Sequence, residues 1–148
     1  HDIYGYDHFL NDAGGSICEL DDAGMLEVLA KHTLILYLRA GDDMEQELIR
    51  RAVEKPKPLY YREDFLEAKL AAYLAETGCT SAGQIDPDSF VTWIFPHLVQ
   101  HRRPRYTAIA EQYGYTVNAR DINTLRDEAD FLELVAAAIR QRSTSGIG

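Results

Sequence analysis

The 148-residue chain predicts a helix-rich α/β fold with a small parallel sheet, and three features carry that expectation. Thr33-Leu-Ile-Leu-Tyr-Leu38 is an uncharged apolar run between polar residues, the pattern of a strand buried on both faces. A segment with helical spacing precedes it, and Tyr115-Thr-Val-Asn118 offers a second strand far downstream. Strands separated by helical stretches pair in parallel, because the crossover is long enough to return the chain to the same edge.

In chain order, Tyr6–Asn11 is short, aromatic and apolar and runs into Gly14-Gly15, which suits a strand feeding a loop. Asp21 or Asp22 then caps a helix whose apolar positions Met25, Leu26, Leu29 and Ala30 repeat at helical spacing up to Lys31. With the apolar run that follows, strand, helix and strand make a parallel βαβ unit. Asp42 and Asp43 open a second helix, from Met44 to about Val53, which Pro56 and Pro58 end. A third spans Asp64 to Glu76, with Phe65, Leu66, Leu70, Tyr73 and Leu74 on one face and Gly78 as its stop. Cys79 to Asp86 is a loop, and Asp86-Pro87 is an N-cap with proline in the first turn. The helix it opens carries Phe90, Trp93, Ile94 and Leu98 into the core and is expected to kink at Pro96, with a separate helix from Pro104 to Tyr113. A last amphipathic helix, about Thr124 to Arg140, turns Leu125, Phe131, Leu132, Val135 and Ile139 inward, and residues 142–148 form a disordered tail. Residues 1–141 make one domain.

Composition narrows the function. The chain is 46% hydrophobic and 26% charged, enough to bury a core, and its net charge of −9 argues against a general nucleic-acid binder. Thr33–Leu38 is too short to span a bilayer and no basic-then-apolar leader precedes it, which predicts a soluble cytoplasmic protein. Cys18 and Cys79 lack any CxxC spacing, so buried thiols are expected rather than a disulfide or zinc site. The first residue is His1 rather than Met, which predicts a processed chain or a piece of a longer one.

Three groups of residues could do chemistry. In Asp12-Ala-Gly14-Gly15-Ser16, a carboxylate followed by small residues lets a ligand approach the backbone, and Asp12 could hold Mg²⁺. Arg50, Arg51, Lys55 and Lys57 form a basic group whose lysines sit in a loop stiffened by Pro56 and Pro58, suited to closing over phosphates. Helix-dipole pairing is the structural reading of Arg50 and Arg51. Arg102-Arg103-Pro104-Arg105 offers several guanidinium forks for a carboxylate or phosphate, or for the chain's own acids. His97 and His101 stand at i and i+4 without the carboxylate of a zincin arrangement.

Taken in order, these groups resemble the C-terminal half of shikimate kinase and its P-loop kinase relatives. DAGGS, Gly24 to Lys31, and LILYL are similar to that family's glycine loop, helix and apolar strand. Lys57-Pro58-Leu59 is similar to its lid, and Arg102-Arg103-Pro104-Arg105-Tyr106 to its Arg-x-Pro-x-Tyr phrase. The resemblance implies a P-loop kinase type of sheet, a nucleotide-binding protein, and transfer of a phosphoryl group from ATP with Mg²⁺ to a small anionic acceptor or to water. It implies Asp12, Lys57 and Arg51 as catalytic, Gly14, Gly15, Ser16, Arg102 and Arg105 as substrate-binding, and Arg50 and Lys55 as lid residues.

The departures are concrete. Val53 stands where the lid arginine belongs, the glycine triplet is Gly-Gly-Ser, and the 64–95 segment is a helical insertion, so shikimate itself is not the expected substrate. No GxxxxGK[ST] occurs, so the sheet is expected to be incomplete, its phosphate-loop half absent. An N-terminal half or an oligomer partner would complete it, and the chain by itself is expected to be inactive. The alternative reading is a non-enzymatic helical module that docks an acidic partner through its arginine cluster.

Overall fold

The computed structural model describes Gly5 and residues 7–145. Tyr6, His1 and the 146–148 end of the expected tail lie outside the described residues. The elements are α1 (Ala23–His32), β1 (Ile35–Arg39), α2 (Asp42–Glu54), α3 (Glu63–Thr77), α4 (Pro87–Tyr113), β2 (Gly114–Asn118), α5 (Ala119–Ile122) and α6 (Glu128–Ser145). This is a helix-rich α/β arrangement around a two-stranded parallel sheet.

Local chemistry explains most boundaries. Asp22 Oδ1 accepts from the Gly24 and Met25 amides at 2.8 and 3.4 Å, which starts α1. Asp86 does the same for α4 through the Ser89 amide at 2.8 Å, with Pro87 in the first turn. Gly78, at φ 71°, closes α3 in the left-handed conformation open to glycine at no steric cost.

β1 and β2 pair from Ile35 opposite Gly114 to Arg39 opposite Asn118, joined by a crossover through α2, α3 and α4. Alternation sends Ile35 and Tyr37 toward α4, where Tyr37 stacks on Tyr106 with ring centroids 5.3 Å apart. The opposite face is covered over β2 by α6: Val117 is buried, and Arg142 lies over the Tyr115 ring. Two apolar clusters flank α4. Cys18, Leu26 and Ile109 form one with Ile35 and Tyr106, while Phe65, Ile94 and Leu98 form the other with Tyr61 and Trp93.

Several expectations are corrected. Residues 7–11 form no strand: no neighbouring strand supplies ladder partners, and Phe9 and Leu10 are 86% and 76% exposed. Among the described residues the expected strand–helix–strand unit is therefore absent, and β1 takes β2 as its partner instead. β1 is not buried on both faces, because α6 stops over β2 and leaves Leu34 and Leu38 49% and 48% exposed. Among the described residues, no hydrogen bond closes the β1 edge away from β2.

α4 is one helix of 27 residues, about 40 Å long, rather than two, and it contains both Pro96 and Pro104. Each proline lacks one helical amide donor, but Ile94, Leu98, Ile109 and Ala110 are buried along the helix, and that packing on both sides holds it together. The 64–95 segment accordingly ends inside α4 rather than at a boundary. α6 starts at Glu128, later than expected, and runs to Ser145, so residues 142–145 are helical rather than tail. Arg142 ties this end down by donating to the carbonyls of Glu111, Gln112 and Gly114. Ala138 is buried, whereas Leu132, expected inward, is exposed.

Candidate functional site

The glycine loop and the arginine segment of α4 meet. Asp12 Oδ1 accepts from the Gly14 amide at 2.8 Å, and the Ser16 amide and hydroxyl both bond the Ala13 carbonyl, which folds the loop into a tight turn. Gly14 and Gly15 have φ of 54° and 88°. A Cβ on Gly15 would lie 2.6 Å from the Tyr106 hydroxyl and 2.9 Å from Arg102 Nη1, so only glycine lets the loop reach these side chains. Gly14 has nothing within 4 Å of the same position. A 3-10 turn, Ser16–Glu19, follows and carries Cys18 into the core.

Arg102 is committed on two sides. Its Nε donates to Glu19 Oε1 at 2.8 Å and its Nη2 to the Tyr60 carbonyl at 2.9 Å. Both charged side chains are largely buried, 13% exposed for Arg102 and 7% for Glu19. A buried guanidinium needs such a partner, and here the chain's own carboxylate sits where an acceptor carboxylate is expected. Burial raises the pKa of Tyr106, and the adjoining Cys18 raises it further. Burial likewise raises that of Cys18, whose thiol donates to the Gly15 carbonyl at 3.0 Å. At neutral pH both groups are protonated and neither is an activated nucleophile.

The neighbouring arginines also meet internal acids. Arg105 donates to the Cys18 carbonyl at 2.6 Å and pairs with Asp21, which Arg62 also contacts. Arg103 reaches Asp42 and Glu45 at 3.3 and 3.5 Å. On α2, Arg50 and Arg51 bond the Glu47 carboxylate and hold its pKa down to about 2. Arg50 also pairs with Glu54. Lys55 and Lys57 are different: among the described residues neither side chain has a hydrogen bond or ion pair, and both residues are exposed.

Lys55 and Lys57 line a groove of about 510 Å³ with Arg50, Arg51, Val91 and Phe95. No residue of the 12–16 loop lines it, so the structure does not bring lid and glycine loop into one cavity. They share one face of α4 nonetheless. Phe95 and Arg102 are seven positions apart, two helical turns and about 10 Å. The intervening chain, Leu59-Tyr60, ends on Arg102 through the Tyr60 carbonyl. A second groove, of about 340 Å³, lies beside Asp21 and Arg105, whose charges already neutralise one another.

The residues present do not by themselves fit ATP and Mg²⁺. Asp12 is a single exposed carboxylate turned onto its own loop, and no group of three His, Cys, Asp or Glu side chains suits a metal among the described residues. His97 and His101 pack against aromatic rings, at 4.5 Å from Trp93 and 4.7 Å from Phe65. Cys18 and Cys79 are free thiols. Sequence reasoning missed Glu19, Tyr60 and Tyr106, each of which contacts the glycine loop or Arg102. Only Tyr106 carried a signal, as the last residue of the Arg-x-Pro-x-Tyr phrase.

Fold and site define a helix-rich α/β domain with a glycine turn packed under a buried arginine. Compared with known proteins, the chain matches no family model, no curated protein and no solved structure. No helix among the described residues is long and apolar enough to cross a membrane.

Proposed function

We propose that this chain is the acceptor side of a kinase-type phosphotransferase whose nucleotide side is supplied by a separate phosphate-loop segment. The observation that carries the reading is the close approach of Gly15 to Arg102 and Tyr106, which joins the two phrases that resemble a kinase acceptor site. The sheet supports it as well. β1 and β2 are parallel neighbours, and the free edge of β1, with Leu34 and Leu38 half exposed beside it, is where a further apolar strand preceding a phosphate loop would pair.

In this reading Gly14, Gly15, Ser16 and Arg102 hold a small anionic acceptor at one end of the α4 face, with Arg105 beside them. An acceptor carboxylate reaches Arg102 by displacing Glu19. Lys57 and Lys55, with Arg50 and Arg51, lie about 10 Å along the helix, a span suited to an extended phosphorylated ligand. ATP and Mg²⁺ arrive with the phosphate-loop segment.

Phosphate release from MgATP by residues 1–148 alone tests the division of labour. The expected result is no release above the protein-free rate. Turnover that disappears in Asp12→Ala would show a self-sufficient site and overturn the reading.

A further inference from the structure

We infer that the groove between the Lys55–Leu59 loop and α4 is a binding site for an organic anion with an apolar body, its carboxylate or phosphate head held by Lys55 and Lys57. The inference follows from where positive charge remains available. In a chain of net charge −9, the arginines of α4 and α2 are engaged by internal acids, whereas Lys55 and Lys57 have no partner among the described residues. Two uncompensated ammonium groups two positions apart repel each other, and an anion between them relieves that repulsion.

Arg50, Arg51 and Glu54 also line the groove, but Arg50 pairs with Glu54 and Arg51 with Glu47, and the remainder of the lining is apolar. Leu59, Val91 and Phe95 are half-buried, and together with Ala52 they form a floor beneath the lysines. Its volume, about 510 Å³, lies in the range of small-molecule sites, and its apolar floor beside unpaired charge suits a ligand with both an apolar body and an anionic head. Phosphate or carboxylate alone would leave the floor wet, while a neutral apolar molecule would leave the lysines unpaired. Pro56 and Pro58 fix φ on either side of Lys57, so the loop loses little freedom when the ligand binds. The proposal stands apart from phosphoryl transfer, since it needs neither the glycine loop nor a nucleotide.

The probe is 1-anilinonaphthalene-8-sulfonate, followed by fluorescence and by ¹⁵N amide shifts of the full chain. One site is expected, with shifts concentrated at Ala52, Leu59, Val91 and Phe95. Octyl phosphate and octanoate should both displace the probe, the stronger competitor identifying the head group, whereas inorganic phosphate and octyltrimethylammonium should not. The exposed double variant Lys55→Gln/Lys57→Gln should weaken binding about tenfold with unchanged circular dichroism. Unchanged affinity in that variant, equal displacement by the octyl cation, or shifts centred on Phe9, Leu10 or Leu34 would overturn the proposal.

Discussion

Replacing Gly15 by alanine probes the contact on which the site depends. Two costs add. At φ 88° an alanine carries backbone strain of about 1 kcal/mol. Its Cβ would also stand 2.6 Å from the Tyr106 hydroxyl and 2.9 Å from Arg102 Nη1, so one of them must move. Tyr106 is stacked on Tyr37 and backed by Cys18, which leaves Arg102 to shift and to loosen its bond with Glu19. Breaking a buried pair outright costs about 3–5 kcal/mol, and a partial loss gives a total of about 2–4 kcal/mol. Gly14→Ala is the control: its φ is 54° and its Cβ meets nothing within 4 Å, so strain of about 1 kcal/mol is all it bears. In urea unfolding, with a slope of about 2 kcal/mol per molar, Gly15→Ala should lower the midpoint by about 1–2 M and Gly14→Ala by about 0.5 M. Equal midpoints for the two variants would refute the packing of Gly15 under Arg102.

The continuity of α4 and the chemistry of the core make two further predictions. Pro104 is exposed within α4, so Pro104→Ala restores a helical amide donor and should raise stability by about 1–3 kcal/mol, read as a higher Tm; a lower Tm would mean that α4 breaks there. The folded state raises the pKa of Cys18 through burial, so the stability this burial allows is fully present below the ordinary thiol range and is lost as pH climbs from that range through the raised folded-state value. Unfolding at pH 7 and pH 10 should show a smaller loss for Cys18→Ala than for the parent chain, and identical losses would place the thiol in water.

Legibility in the sequence followed how local the cause was. Asp22, Asp86 and Gly78 act within one turn of their own position, and the elements they bound stand where the spacing put them. Ile35–Leu38 of the apolar run and the Tyr115–Val117 segment likewise became strands. What pairs with what was not local. Tyr6–Asn11 has the composition of a strand, but a strand exists only where a neighbour supplies its hydrogen bonds, and nothing within the segment records that. Pro96 looked like a kink and Pro104 like a helix boundary because their cost is local, while the burial of Ile94, Leu98 and Ile109 that offsets it comes from partners elsewhere in the chain.

The site divides in the same way. The glycines and Arg102 were visible as motifs, and the structure brings them together. The partners that use up the arginines were not visible, because Glu19, Asp21 and Asp42 are scattered among many acids of equal appearance. Charge counting along the chain offered both basic groups as anion sites; pairing in three dimensions occupies the arginines and leaves the Lys55 and Lys57 ammonium groups without an acid.

The central claim, that these residues form the acceptor side of a site completed at the β1 edge, is tested most directly by Mg²⁺-dependent ATP consumption from the reading frame extended upstream of His1. The account predicts an apolar strand followed by GxxxxGK[ST] in that extension, with ATP consumption that residues 1–148 lack and that Arg102→Met reduces at least tenfold. An extended frame that carries no such loop, or that consumes ATP equally well without Arg102, would contradict it.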